Sequence, residues 1–126
     1  MTAWSKNKLS DKEVFLSYIE ELDFKLSKGE QTVIIVPALS CVGCRKVAVE
    51  YGEIKDNVTV IVSGRIASEF KNKDVIVDTN SICDILNWEH FNIIEITALN
   101  GEIETIKSYD AKEIIKRFTS VDTCNL

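Results

Sequence analysis

What the sequence lacks narrows it first. It has one proline, Pro37, and one histidine, His90, and no repeat, linker or low-complexity stretch. No apolar run approaches the ~20 residues that a membrane helix requires. Basic residues are in deficit, fifteen against twenty acidic ones for a net charge of −5, and the adjacent basic pairs Arg45-Lys46 and Lys116-Arg117 are each diluted by nearby acids. Nucleic acid and anionic membrane both demand clustered Lys and Arg, so neither is an expected partner. The opening MTAWSKNKLSDKE lacks the apolar segment of a secretory signal. The chain as it stands thus reads as cytoplasmic, while a periplasmic or exported protein whose signal has been removed begins in the same way; the compartment stays open. Four cysteines are too few for a disulfide scaffold and allow three pairings.

What is present describes an ordinary globular chain, with 45% hydrophobic and 28% charged residues. Its 126 residues are one domain by length, enough to bury a core without disulfides or metals. Ser10-Asp11-Lys12-Glu13 reads as a capping box. Val14, Phe15, Tyr18, Ile19, Leu22 and Leu26 then recur at helical spacing, which predicts a helix over 11–28 ended by Gly29. Thr32–Leu39 is a short apolar run rich in β-branched residues, as in a strand buried on both faces, and Pro37 should stop its pairing. A helix from about Cys44 to Tyr51 and a second buried strand at Val58–Val62 complete a strand-helix-strand unit, which favours a parallel pair.

A short helix at Ile66–Phe70, a strand at Asp74–Val77 and a capped turn from Asp78 through Ile82, Ile85 and Leu86 follow. Over 92–107 apolar and polar residues alternate on either side of Asn100-Gly101, a strong two-residue hairpin signal because both positions favour positive φ. Asp110–Glu113 can cap a last helix carrying Ile114, Ile115 and Phe118. The fold expected from this order is α/β: a central mixed sheet of about five strands flanked by helices. Its parts are a β-α-β unit, then a C-terminal β-hairpin and helix. The expected division is a helical extension over 1–29, a core over 30–118 and a tail over 119–126.

The chemistry-bearing feature is PALSCVGCRK at 37–46. Cys41 and Cys44 fall between a buried strand and a helix, so Cys41 should lie at or just before the helix N-terminus, where unpaired N–H groups and the dipole favour a thiolate. Such sites lower a cysteine pKa from ~8.5 to roughly 3.5–7.5. Arg45 and Lys46 add positive charge nearby. The spacing also lets Cys44 attack a mixed disulfide made by Cys41.

On VIIVPALSCVGCRK, VTVIV, DVIVDTNSICDIL and IIEITALNGEIETI, covering residues 30–118, the chain resembles the thioredoxin-like superfamily, particularly its thiol-disulfide oxidoreductases related to peroxiredoxins. The resemblance implies a thioredoxin-like fold, exchange with protein thiol or disulfide partners, Cys41 as the attacking residue and Cys44 as the resolving one. Ser40, Val42, Gly43, His90, Asn92 and Ile93 would border the active face. The chain departs from the family pattern in four places. Ser40 replaces an aromatic residue, commonly Trp, and Val42-Gly43 stands where thioredoxins carry Gly-Pro. The position of the family's cis-proline falls near Ile93, and 33–36 carry no buried acid, being all Val or Ile. A non-proline cis bond costs ~2.5–4 kcal/mol, so Ile93 is expected to be trans.

A peroxiredoxin pattern, Pro-x-x-x-Thr-x-x-Cys, would end at Cys44, but Cys41 holds its threonine position. Cys83, His90 and Cys124 are the further candidates for a zinc or iron–sulfur site with the pair, yet no second Cys-x-x-Cys or His pair has zinc-finger spacing. Cys83, between Ile82 and Ile85, reads as a small buried hydrophobe. Cys124 in the polar DTCNL tail reads as incidental, and His90 in WEHFN as a loop residue, with Trp88 and Phe91 packing around it. Nothing in the sequence suggests a small-molecule cofactor pocket. The alternative class is a non-catalytic binding module with a structural or vestigial cysteine pair.

Overall fold

Strict alternation along one strand sets both faces of the sheet. The computed structural model describes residues 10–84 and 92–123, with side chains as far as Phe118. Strand β1 spans Glu30–Val36, and Val33, Ile34, Ile35 and Val36 are all fully buried. Val33 and Ile35 point to one core cluster, Ile34 and Val36 to another. A strand buried on both faces belongs in the middle of a sheet, and β1 is the central one.

The elements follow in the order α1 (Asp11–Glu21), β1, α2 (Val42–Ile54), β2 (Val58–Ser63), a 3₁₀ helix (Gly64–Phe70), β3 (Ile76–Asp78), a 3₁₀ turn (Ile82–Asp84), β4 (Ile93–Leu99), β5 (Glu102–Tyr109) and α3 (Ala111–Thr123). The five strands lie in the order β3-β2-β1-β4-β5. β1 pairs parallel with β2, and β2 with β3, whereas β4 runs antiparallel to both β1 and β5. The protein is therefore α/β, with a mixed sheet and the expected β-α-β unit, hairpin and closing helix. α1 covers one face through Val14, Phe15, Tyr18 and Ile19. α2 and α3 cover the other through Cys44, Ala48, Val49, Ile114 and Phe118. The larger of these, among them Phe15, Ile19, Val49, Ile114 and Phe118, each contribute ~1.5–3 kcal/mol of transfer free energy. No helix among the described residues is long and apolar enough to cross a membrane.

Several boundaries differ from the sequence reading: β3 is Ile76–Asp78 rather than 74–77, and α2 extends from Val42 to Ile54. The capping box at Ser10 and Glu13 is present, but α1 stops at Glu21 rather than reaching residue 28. Asp23 takes a positive φ of 56°, Asp23 N–H donates to Glu20 O, and Phe24 N–H donates to Ile19 O, which together close a Schellman turn. Leu22, Phe24 and Leu26 then pack on the core as alternate residues of an irregular segment. Leu22 and Leu26 fit a period of four or of two, and Phe24 between them shows which one holds. Gly29 belongs instead to the turn into β1, where its N–H donates to Asn100 Oδ1 at 2.9 Å. β1 ends at Val36, just before Pro37 as expected, whereas Leu39, the last residue of the apolar run, is 74% exposed.

The hairpin also holds a surprise. Asn100 and Gly101 both have positive φ, 51° and 85°, as the turn requires. Ile103 and Ile106, three residues apart, nevertheless reach the same core cluster. A bulge makes this possible: Thr97 pairs with Thr105 and Ala98 with Ile103, so Glu104 is left without a partner and the alternation resets. Ile85, Leu86, Trp88, His90, Phe91 and Cys124 lie outside the described residues.

Candidate redox site

At Pro37 the central strand leaves the sheet. Ser40 N–H and Oγ both donate to Pro37 O, at 3.2 and 2.5 Å, folding residues 37–40 into a tight turn with Ser40 buried. Cys41 follows as the N-cap of α2, with φ −68° and ψ 151°, and its Sγ accepts the Cys44 N–H at 3.1 Å. Serine or aspartate usually fills this role; here the sulfur meets one of the helix's unpaired donors. Cys41 and Cys44 are disulfide-bonded with Cα atoms 5.1 Å apart. The two sulfurs differ in access: Cys41, Val42 and Gly43 are exposed, whereas Cys44 is 1% exposed against the sheet. An incoming group can therefore reach Cys41 and not Cys44.

The expected neighbours are placed as follows. Ile93 starts β4, fully buried in the same cluster as Cys44 and Val36. Asn92 is exposed just before it, and the Asn92–Ile93 bond is trans, no peptide bond among the described residues being cis. His90 lies outside the described residues. Val42 is 66% and Leu39 74% exposed, so two bare apolar side chains flank the accessible sulfur. The concavity given by Leu16, Ile19, Phe24, Leu26 and Gly101, of about 310 Å³, is at the far end of the sheet. Seven strand residues, roughly 20 Å, separate that end from Pro37. The cysteine end thus presents an exposed sulfur.

Glu69 and Asp84 escaped the sequence reading because they come from distant segments, and Arg45 was read there only as a nearby charge. Arg45 does not extend into solvent: its side chain is 11% exposed, and Nη1 donates to Ser40 O at 2.8 Å and Ala38 O at 3.2 Å. Its Nε and Nη2 donate to the two carboxylate oxygens of Glu69, each at 2.8 Å. From the opposite side Asp84 Oδ1 accepts Ala38 N–H at 2.9 Å, while Asp84 Oδ2 accepts the Ser63 hydroxyl at 2.6 Å. The turn before Cys41 is thus held through its carbonyls by Arg45 and through an amide by Asp84. Adjacency of Arg45 to Cys44 was the one signal available in the sequence.

Positions 33–36 carry no acid, but acids enter the core from other strands. Asp78, at the end of β3 and fully buried, accepts at Oδ2 from the Tyr18 hydroxyl and from Cys83 N–H, both at 2.8 Å. Its Oδ1 is buried with no hydrogen-bond partner among the described residues. Burial, reinforced by Asp84 and Asp78, pushes the Cys83 thiol far above its ordinary range. Burial, Cys83 and Asp78 do the same to the Tyr18 hydroxyl. On the other face Glu95, 4% exposed, accepts from Tyr109 Oη at 2.7 Å and Arg117 Nη2 at 3.0 Å. Burial and then Glu95 push Tyr109 up to about 12. No group of three or more His, Cys, Asp or Glu among the described residues is arranged to hold a metal ion.

Comparison with protein-family models, with curated proteins and with solved structures finds no match to this chain. The functional reading rests on the geometry of the site.

Proposed function

We propose that the protein is a divergent thioredoxin-like thiol-disulfide oxidoreductase acting on protein partners. The observation that carries this reading is the unequal pair: an exposed Cys41 capping a helix, bonded to a buried Cys44 one turn on. In the reducing direction the Cys41 thiolate attacks one sulfur of a partner disulfide. A Cys41–partner bond forms, the partner's S–S bond breaks, and its second sulfur leaves as a thiolate. The Cys44 thiolate then attacks Cys41 Sγ; the Cys41–Cys44 bond forms and the remaining partner thiolate departs. Two electrons have passed to the partner, and the same steps reversed oxidise a partner dithiol.

The helix N-terminus supports the nucleophile, because the amide that meets Sγ in the disulfide can donate to the free thiolate. The bare Leu39 and Val42 beside an exposed sulfur suit an apolar contact with a protein surface. The strand order, the parallel β-α-β unit and the hairpin are compatible with a thioredoxin-like core.

A Cys44→Ser variant tests this. Without the resolving thiol, Cys41 should accumulate as mixed disulfides with proteins in cell extract, removed by reductant and absent in a Cys41→Ser/Cys44→Ser control. A variant that stays a clean, unlinked chain would instead favour a binding module with a structural disulfide.

A further inference from the structure

The Arg45 guanidinium is committed on two sides. Nη1 is bonded to the carbonyls of Ala38 and Ser40, the second of which belongs to the peptide unit that leads into Cys41. Nε and Nη2 are taken up by Glu69 on the 3₁₀ helix after β2. A guanidinium held this way is a fixed positive charge beside the Cys41 turn rather than a mobile surface one, since its planar fork is filled. Glu69 is 37% exposed on its side chain and touches the turn only through Arg45, so it supplies a compensating negative charge from outside.

We propose that the Arg45–Glu69 pair sets how strongly this end of the protein holds Cys41 as a thiolate. Arg45 acts as a positioning residue that favours the thiolate, and Glu69 restrains it. This rests on the thiol-exchange reading of Cys41 and Cys44. Other charges at this end of the described structure include the exposed Lys46 on α2 and Arg65 on the 3₁₀ helix, Asp84, engaged by Ala38 N–H and the Ser63 hydroxyl, the buried Asp78, engaged by the Tyr18 hydroxyl and Cys83 N–H, and Asp110 and Glu113 after β5, which bond each other. β4 contributes the uncharged Asn92 at its start. Neither Lys46 nor Asp84 has a hydrogen bond to the Arg45–Glu69 pair, so the pair can be altered while both remain.

The two members of the pair must then act with opposite signs. Glu69→Gln uncovers the Arg45 charge while leaving its bonds to the Ala38 and Ser40 carbonyls possible. Arg45→Met removes the charge and the hold together. The measurement is equilibration with glutathione, in which the oxidised pair plus two glutathione thiols gives the Cys41/Cys44 dithiol plus one glutathione disulfide. Glu69→Gln should favour the dithiol by about three- to tenfold, ~15–30 mV more oxidising, and Arg45→Met should favour the disulfide by a similar factor. In the Cys44→Ser background, the pH midpoint of Cys41 alkylation should move down for Glu69→Gln and up for Arg45→Met. Urea midpoints taken alongside separate these shifts from loss of fold. If Arg45→Met does not fold, Glu69→Gln still decides the question by its sign.

A wild type that equilibrates with glutathione while both variants stay within twofold of it, or move in the same direction, overturns the proposal and spares the exchange reading. A wild-type pair that does not equilibrate at all overturns both.

Discussion

Cys41 caps a helix in contact with solvent, with the Arg45 guanidinium fixed to the turn just before it, whereas Cys83 is 3% exposed beneath α1 among Tyr18, Asp78 and Asp84. The two share a side chain and differ in burial and in the balance of charge around them. At Cys41 a helix N–H is directed at the sulfur, so negative charge is favoured there. At Cys83 burial and two carboxylates oppose that charge, and the thiol is pushed far up. On the proposed reading the first sulfur reacts, and the second is held protonated by its surroundings. The regions meet at Asp84, whose carboxylate lies 3.9 Å from Cys83 Sγ and also holds the Ala38 amide in the Cys41 turn.

The largest effect that would break this contrast is in reactivity. In reduced, folded protein near pH 7.5, Cys41 should alkylate more than about a thousandfold faster than Cys83, since rate follows thiolate fraction and access. Mass mapping of a labelling time course reads this directly. Comparable rates at the two positions would remove the basis for assigning Cys41 as the nucleophile.

The next effect is on stability and runs the other way. Asp78→Ala takes from the Tyr18 hydroxyl and the Cys83 amide the carboxylate that both bond in the core. It should cost about 2–4 kcal/mol in a urea titration, the desolvation penalty of two buried donors. Reducing the Cys41–Cys44 bond, which closes only a short loop, should cost about 2 kcal/mol or less. If reduction is the more damaging of the two, the disulfide is mainly structural and the comparison inverts.

The smallest effect is in the alkaline limb of stability. The Cys83 thiol is raised in the folded state, so above its ordinary value of ~8.5 the unfolded chain loses that proton first. Cys83 therefore contributes stability that is complete below about pH 8.5 and is lost as pH rises toward its folded value. Tyr18 and Tyr109 add losses of the same sign from about pH 10 upward. Cys83→Ala should flatten the earliest part of this decline between about pH 9 and 10, measured as urea midpoint against pH. An unchanged slope in that window would mean that Cys83 is not held protonated by its surroundings.

Much of this was legible in the residues. The β-branched runs at 33–36 and 58–62 became β1 and β2, because a continuous apolar strand has one stable place, in the interior of a sheet. Asn100-Gly101 gave the hairpin, since few residue pairs accept two positive φ angles. Pro37 ended β1 pairing, and the Cys-x-x-Cys placed after it became a helix start. Where the reading failed, two periods competed over the same residues. Leu22 and Leu26 suited a helix that Asp23 had already closed, and Ile103 and Ile106 needed a bulge at Glu104 that no local pattern announced.

The sequence by itself determined the order of elements, the central strand and the position of Cys41 at a helix N-terminus, because each follows from propensity and periodicity over a few neighbouring residues. Only the tertiary structure decided that Cys44 would be shielded and Cys41 open, that Arg45 would turn back onto the Ser40 carbonyl toward Glu69, and that Asp78 and Asp84 would surround Cys83. These depend on charges and carbonyls brought together from segments tens of residues apart, and a sulfur's reactivity is set by that local field.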